Sequence, residues 1–413
     1  MYFFINSTHA QQTARVTLRD TRQPMLWDPS PGSEQPSAPL SLEEAGKVTF
    51  TLVLPPVGSA FVLPKDDPDL LPVIDTNLTV DSLAGGMVKG YGKVDEAYAV
   101  IKQNGSPMRL EAKTSHAPAS ITLDGAWEFE AQQDNALVIG RWKAREEQPG
   151  EEASRPADPQ TGGWLDMVPG AWSFQLPTEP ARPYPIAIWY RIPFQAVYIP
   201  EKLDLIIDGF AGSEWNLRVN GQPVTAQPTR SKIDSQMQAV EITPHAQQGE
   251  NIIELRLLVT NATDGLLDLI KLAGKFSLEK SGDGDYRIAA PRSAVEPSDW
   301  AAQGYPYYSG SAVYRTRFTL PESYQGKRIF IDPKLYDDAL EVIVNGQPAG
   351  VRLWPPYEVE ITDLLRQGEN TLELRVANTL VNLLEAVVRP SGLSGAPVLS
   401  AYNTFTFQLP EMQ

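Results

Sequence analysis

The sequence predicts an all-β chain, a small antiparallel unit followed by two β-sandwiches, and three observations lead there. The first is that the chain nearly repeats itself. Val219-Asn220-Gly221-Gln222-Pro223 returns as Val344-Asn345-Gly346-Gln347-Pro348, and Ile242-Thr243 with Gly249-Glu250-Asn251 returns as Ile361-Thr362 with Gly368-Glu369-Asn370. Upstream of each copy, Trp189-Tyr190-Arg191-Ile192-Pro193-Phe194 matches Val313-Tyr314-Arg315-Thr316-Arg317-Phe318. Blocks this long, kept in one order, mark a duplicated domain rather than a solenoid unit. The second is turn-rich usage, 36 Pro and 30 Gly among 413 residues, which suits many short strands. The third is the pair Asn220-Gly221 and Asn345-Gly346, each set between runs of apolar alternation as in a two-residue hairpin.

Taken in order, residues 1–64 read as a small antiparallel β domain with strands near 2–5, 14–18, 47–54 and 60–63. Val48-Thr49-Phe50-Thr51-Leu52-Val53-Leu54 alternates with period two, as a strand with one buried face requires. The segment 65–116 is acidic and proline-bearing at its start, and 94–102 fits either a strand or a short helix. It reads as a connecting segment. The first sandwich is expected over 117–290, with strands near 126–130, 188–194, 203–208, 215–219, 238–242 and 252–260. Its stretch 145–163, rich in Glu, Pro, Asp and Gly, is polar enough for a long exposed loop. The second is expected over 291–413, with strands near 312–320, 328–331, 340–344, 359–361 and 371–377.

The chain has no cysteine, which removes disulfides, thiolate nucleophiles and cysteine-based zinc sites. Its formal net charge of −16 opposes approach to nucleic acid or to an anionic membrane surface, so neutral partners are favoured. No apolar window approaches the 18 or so residues of a membrane span, and Tyr2-Phe3-Phe4-Ile5 is too short for a signal-peptide core. Asn6-Ser7-Thr8, Asn77-Leu78-Thr79 and Asn261-Ala262-Thr263 fit the glycosylation sequon, which matters only in a eukaryotic secretory setting.

The order of an aromatic-Tyr-Arg strand, a Val-Asn-Gly hairpin and an Ile-Thr…Gly-Glu-Asn block resembles the galactose-binding-like jelly-roll domains of glycoside hydrolase family 2. The second copy adds Trp354-Pro355-Pro356-Tyr357, Asn378-Thr379-Leu380 and Pro390-Ser391-Gly392-Leu393. With Leu26-Trp27-Asp28-Pro29 and Gly58-Ser59-Ala60-Phe61-Val62, nearly the whole chain is similar to the C-terminal half of family 106, α-L-rhamnosidase-like proteins. In proteins of that kind a (β/α)₈ barrel precedes this region and carries the catalytic carboxylates. The strand-rich pattern here has no eightfold alternation of strand and helix, so no catalytic residue carries over. The resemblance therefore implies a non-catalytic carbohydrate-binding and scaffolding region, a truncated or separately encoded piece of a secreted or periplasmic glycosidase. Its partners would be an oligo- or polysaccharide and a separate catalytic barrel. Two alternatives stand beside it: an autonomous glycosidase with its site between the sandwiches, and a docking module that binds no sugar. A polyanionic pectin suits a chain of this charge poorly.

The residues agree with a non-catalytic reading. Glycoside hydrolysis ordinarily needs two carboxylates at defined separation, and among 51 acidic residues pairs such as Asp337/Asp338 or Glu358/Glu360 are not distinctive. His9, His116 and His245 are scattered and no hydrolase or zinc motif occurs. Ser281-Gly282-Asp283-Gly284-Asp285 resembles a calcium loop but lacks its distal Glu, and reads as an exposed turn. No cofactor is expected from the residues; jelly rolls of the resembled type often hold a structural calcium, which the resemblance leaves open as the one exception. Sugar rings stack their C–H faces on aromatic side chains while their hydroxyls meet polar groups. The candidates for such a platform are Trp300, Tyr305, Tyr307 and Tyr308, in a Gly/Pro/Ser-rich segment, and Trp354 with Tyr357. Each set has a structural alternative, sealing a sandwich edge or making a domain contact.

Overall fold

Strands make up most of the regular structure, and the four-residue Val381–Leu384 is the single α-helix among the described residues. The structure, a computed structural model, describes residues 1–29, 32–41, 46–66, 73–83, 85–103, 106–151, 160, 162–177, 183–281 and 285–408. All-β architecture is as the sequence predicts. At the N-terminus Tyr2–Ile5, Ser59–Lys65, Gln23–Asp28 and Ser33–Pro36 form one sheet, and Gln12–Leu18, Val48–Leu54 and Leu40–Ser41 another. Val48, Phe50, Leu52 and Leu54 are buried between them, which is the period-two face read from the sequence.

The segment 65–116, expected as a connection, is instead rich in strands. Val73–Thr76, Glu96–Gln103 and Ser106–Lys113 form a sheet, and Thr79–Ser82 and Met87–Gly92 extend a different one. The reason lies at the far end of the chain. Met87–Gly92 pairs antiparallel with Val398–Gln408, from Met87 opposite Gln408 to Gly92 opposite Asn403. Phe405 and Phe407 of that last strand then complete a core with Val73, Val80, Val88, Ala99 and Ile101.

The first sandwich sets the sheet of Asn135–Ile139, Ile270–Gly274, Leu203–Ile207, Gln238–Glu241 and Thr229–Arg230 against a larger one centred on Ile186–Ala196 and Gly249–Val259. The second sets Trp127–Ala131, Ser311–Leu320, Gly368–Ala377, Ala339–Val344 and Gln347–Arg352 against Val359–Glu360, Arg328–Asp332 and Val398–Gln408. One strand is not where sequence order places it. Trp127–Ala131 was expected in the first sandwich, yet it pairs with Ser311–Leu320, Phe129 opposite Tyr314, and Leu123, Trp127 and Phe129 lie in the second core. The first sandwich is thus inserted into the second. Lys275 holds the crossing, donating from Nζ to the carbonyls of Ala131, Gln132 and Gln133 at 2.9, 2.8 and 3.0 Å.

The repeated blocks meet in one polar network per sandwich. Asn220 and Asn345 take positive φ, 51° and 52°, and with the following glycines turn two-residue hairpins, Val219 opposite Gln222 and Val344 opposite Gln347. Asn220 Nδ2 donates to Asn251 Oδ1 at 2.9 Å, and Asn345 Nδ2 to Asn370 Oδ1 at 2.8 Å. Asn251 and Asn370 are fully buried, and each donates to two carbonyls of the turn before its own strand. The repeat's most recognisable letters therefore satisfy buried backbone groups.

Candidate functional site

The expected aromatic platform divides once it is placed in the fold. Trp300, Tyr305 and Tyr308 are 0–1% exposed. They pack with Phe129 and Tyr314: Trp300 meets Tyr308 edge to face at 5.5 Å between centroids and stacks nearly parallel to Tyr314 at 6.4 Å, and Tyr305 tilts against Phe129 at 5.1 Å. Tyr308 Oη donates to the carbonyl of Ser311 at 2.6 Å, and Tyr305 Oη accepts from Arg292 N at 3.1 Å. No ring face is left for a sugar at these three, so their assignment to a carbohydrate platform is corrected: they seal the second sandwich. The cause is Trp127–Ala131, which brings Phe129 against them.

Tyr307, one residue away, points the other way and packs on the first sandwich. It is half-buried and meets Tyr286 edge to face, 5.7 Å between centroids. The two rings line a cleft of about 650 Å³ at the junction of the sandwiches. Polar groups share it: Arg141, Gln195, Ser281 and Asp285. Burial, with Tyr286 and Asp285 nearby, pushes the Tyr307 phenol up. It is therefore a neutral donor across the physiological range. Ser281 N and Oγ both donate to the carbonyl of Asp285, at 2.7 and 3.0 Å. The calcium expectation at this turn falls on residues 282–284, which lie outside the described residues. Among the described residues no group of three or more His, Asp or Glu side chains is placed to hold a metal ion.

Trp354 is 46% exposed, whereas Tyr357 is half-buried. Burial raises the Tyr357 phenol, and the negative charges of Asp337 and Asp338 add to the shift. Those carboxylates belong to a second, smaller cleft of about 210 Å³, shared with Tyr336, Asn378, Asn382 and Arg389. Asp338 is 8% exposed and burial lifts its carboxyl to about 6, although Gly392 N donates to its Oδ2 at 2.6 Å. Gly392 has φ +85°, and a Cβ there would meet the Tyr314 hydroxyl and lie 3.0 Å from the Trp300 ring. The sequence Pro390-Ser391-Gly392-Leu393 is thus fixed by contact on one side and by Asp338 on the other.

Other pairs named from sequence are engaged elsewhere. Glu360 is ion-paired to Arg328 at 2.8 Å and accepts from Thr362 Oγ1 at 2.9 Å. His116 bonds to Asp95, and His245 to Gln222. Sequence reasoning missed Tyr286, Arg141, Asn382 and Arg389, which line the two clefts together with residues from separated segments. It also missed Tyr91, Phe330 and Tyr402, three mutually touching rings from three separated strands, 5.3–5.4 Å between centroids. Tyr286 had a local signal, its place directly after the segment 281–285 that the sequence reads as an exposed turn.

Comparison with known proteins finds a sequence likeness to a glycoside hydrolase over part of the chain and alignments with solved glycoside hydrolases over most of it. No family model matches it. A putative β-glucuronidase of Formosa agariphila is 31% identical over 94 residues, 22% of this chain and 8% of the relative. Among solved structures, the rhamnosidase of Novosphingobium sp. PP1Y aligns with 97% of this chain and 22% of its own, at 18% identity and a TM-score of 0.38. The α-L-rhamnosidase of Streptomyces avermitilis aligns with 97% of this chain and 37% of its own, at 11% identity and a TM-score of 0.29. The chain therefore spans well under half the length of each.

Proposed function

We propose that the chain is a non-catalytic carbohydrate-binding and scaffolding region of a glycoside hydrolase of the α-L-rhamnosidase kind, with hydrolysis supplied by a separate barrel domain. The observation that carries this reading is the Tyr286/Tyr307 cleft. Its volume is within the roughly 300–1,000 Å³ of small-molecule sites, and it joins two ring surfaces to charged and amide groups. Tyr rings offer an apolar face with a polar tip, which is what a sugar presents in reverse. Among the described residues that line it, Asp285 is the one carboxylate, and general acid–base hydrolysis calls for two. The family motifs and the 94-residue likeness to a putative β-glucuronidase support the association with glycoside hydrolases. Trp354, exposed, and Tyr357, beside the smaller cleft, are proposed as further sugar contacts.

The test is calorimetric binding of the full chain to neutral oligosaccharides, rhamnose-containing ones among them. Tyr307→Ala is expected to weaken binding at least tenfold with unfolding temperature little changed. Binding indifferent to both Tyr307→Ala and Tyr286→Ala would remove the cleft from the reading. Turnover of an aryl α-L-rhamnoside, abolished by replacing a single carboxylate, would establish the autonomous glycosidase instead.

A further inference from the structure

The two sandwiches share hairpins and asparagine pairs, and they differ at one loop end. Where the first crosses from Gly249–Val259 to Gly265 through the short turn 260–264, the second runs from Gly368–Ala377 to Gly392 through 378–391, which includes Val381–Leu384. This longer loop closes over Tyr336, Asp337 and Asp338 and creates the 210 Å³ cleft.

Two oxygens in that cleft have no donor. Asp338 uses Oδ2 on Gly392 N, while its Oδ1 has no hydrogen-bond partner among the described residues. Asn382 is 1% exposed and donates from Nδ2 to the carbonyls of Pro306 and Arg389, at 3.2 and 2.9 Å, while its Oδ1 likewise has none. Both side chains are more than nine-tenths buried. Both oxygens remain reachable from solvent, so hydroxyl donors that enter the cleft can take the place of water there.

We infer that this cleft is a binding subsite for a single neutral sugar residue, whose hydroxyls donate to Asp338 Oδ1 and Asn382 Oδ1. The inference rests on the carbohydrate-binding reading and adds to it a second, chemically different subsite. The cleft is smaller than the usual range of small-molecule pockets and so admits one ring rather than a chain. Acceptors without donors select a ligand rich in O–H groups. The adjacent Asp337, with Asp299 close by, repels a carboxylate, so a uronate is disfavoured. The groups that face Asp338 are Asp337, Asp299, Arg389, Tyr314 and Tyr357; the two phenols are raised and stay neutral. Between pH 5 and 7 the change is therefore the ionisation of Asp338 itself, which makes Oδ1 a stronger acceptor.

The experiment is ligand-observed NMR and calorimetry on the full chain with glucose, galactose, rhamnose and glucuronate at pH 5 and pH 7. A neutral monosaccharide is expected to bind more tightly at pH 7, to weaken at least tenfold in Asp338→Asn and to be unaffected by Tyr307→Ala. Asp338→Asn keeps an acceptor for Gly392 N, and its unfolding curve establishes that the variant is folded. Thr379→Val, on the cleft wall, provides a second variant expected to weaken the same sugar. Monosaccharide binding that ignores Asp338→Asn and Thr379→Val, or a preference for glucuronate, overturns the subsite and leaves the Tyr307 reading standing. Oligosaccharide binding lost in Tyr307→Ala with no monosaccharide bound does the same. Failure of every sugar to bind overturns both.

Discussion

Asp338 is kept in the fold at a cost. Its carboxyl sits at about 6 in the native protein, against the 3.8 of an unperturbed aspartate, because burial outweighs the bond from Gly392 N. A pKa raised by folding contributes stability that is complete below about pH 4 and lost as pH rises through 6. Asp338→Asn should therefore flatten the stability profile between pH 4 and 6 and raise stability at pH 7 by about 1–3 kcal/mol, read by denaturant unfolding at several pH values. An unchanged profile would mean that the carboxyl is not perturbed. Groups that lower stability where a cavity opens are the ones a functional site retains. The buried asparagines 251 and 370 are the opposite case, since every bond they make is internal and serves the fold.

At the scale of elements, the last strand does more than close a sandwich. The first part of Val398–Gln408 pairs with Arg328–Asp332, and its second part with Met87–Gly92. At Gly90 a Cβ would lie 2.6 Å from the Thr79 carbonyl, so this close strand crossing tolerates no side chain. Phe407 is 5% exposed against Val88 and its neighbours. Phe407→Ala should destabilise the 73–113 unit by about 3–5 kcal/mol. Hydrogen exchange is expected to accelerate there and not in the first sandwich; acceleration spread over the whole chain would sink this account. Strand alternation in 48–54 and both hairpins were legible, since each depends on residues within a few positions. The strands of 73–113 were not, because their stabilising partner is more than 300 residues away.

At the scale of the molecule, the insertion of one sandwich into the other sets what can fold alone. The first sandwich, 134–290, is continuous. The second needs Trp127–Ala131, which supplies an inner strand and the buried Trp127 and Phe129. A fragment of 291–413 is therefore expected to lack a cooperative unfolding transition, and fusing 117–133 to it should restore one, as followed by near-UV circular dichroism. Cooperative folding of 291–413 by itself would contradict the shared core. The same insertion places Tyr307, from the second repeat's leading segment, over the first sandwich, and so creates the cleft at their junction.

The sequence by itself determined the all-β class, the duplication and its hairpin asparagines, because period, turn chemistry and repetition are written in neighbouring residues. It put Tyr307, which lines a cleft, and the half-buried Tyr357 in one set with the buried Trp300, Tyr305 and Tyr308, and could not separate them. Only the tertiary structure decided which rings are buried, which strand belongs to which sheet and that Asp338 and Asn382 line one cleft. Those depend on pairings between distant segments, and strand pairing is chosen by the burial of whole faces rather than by any local signal.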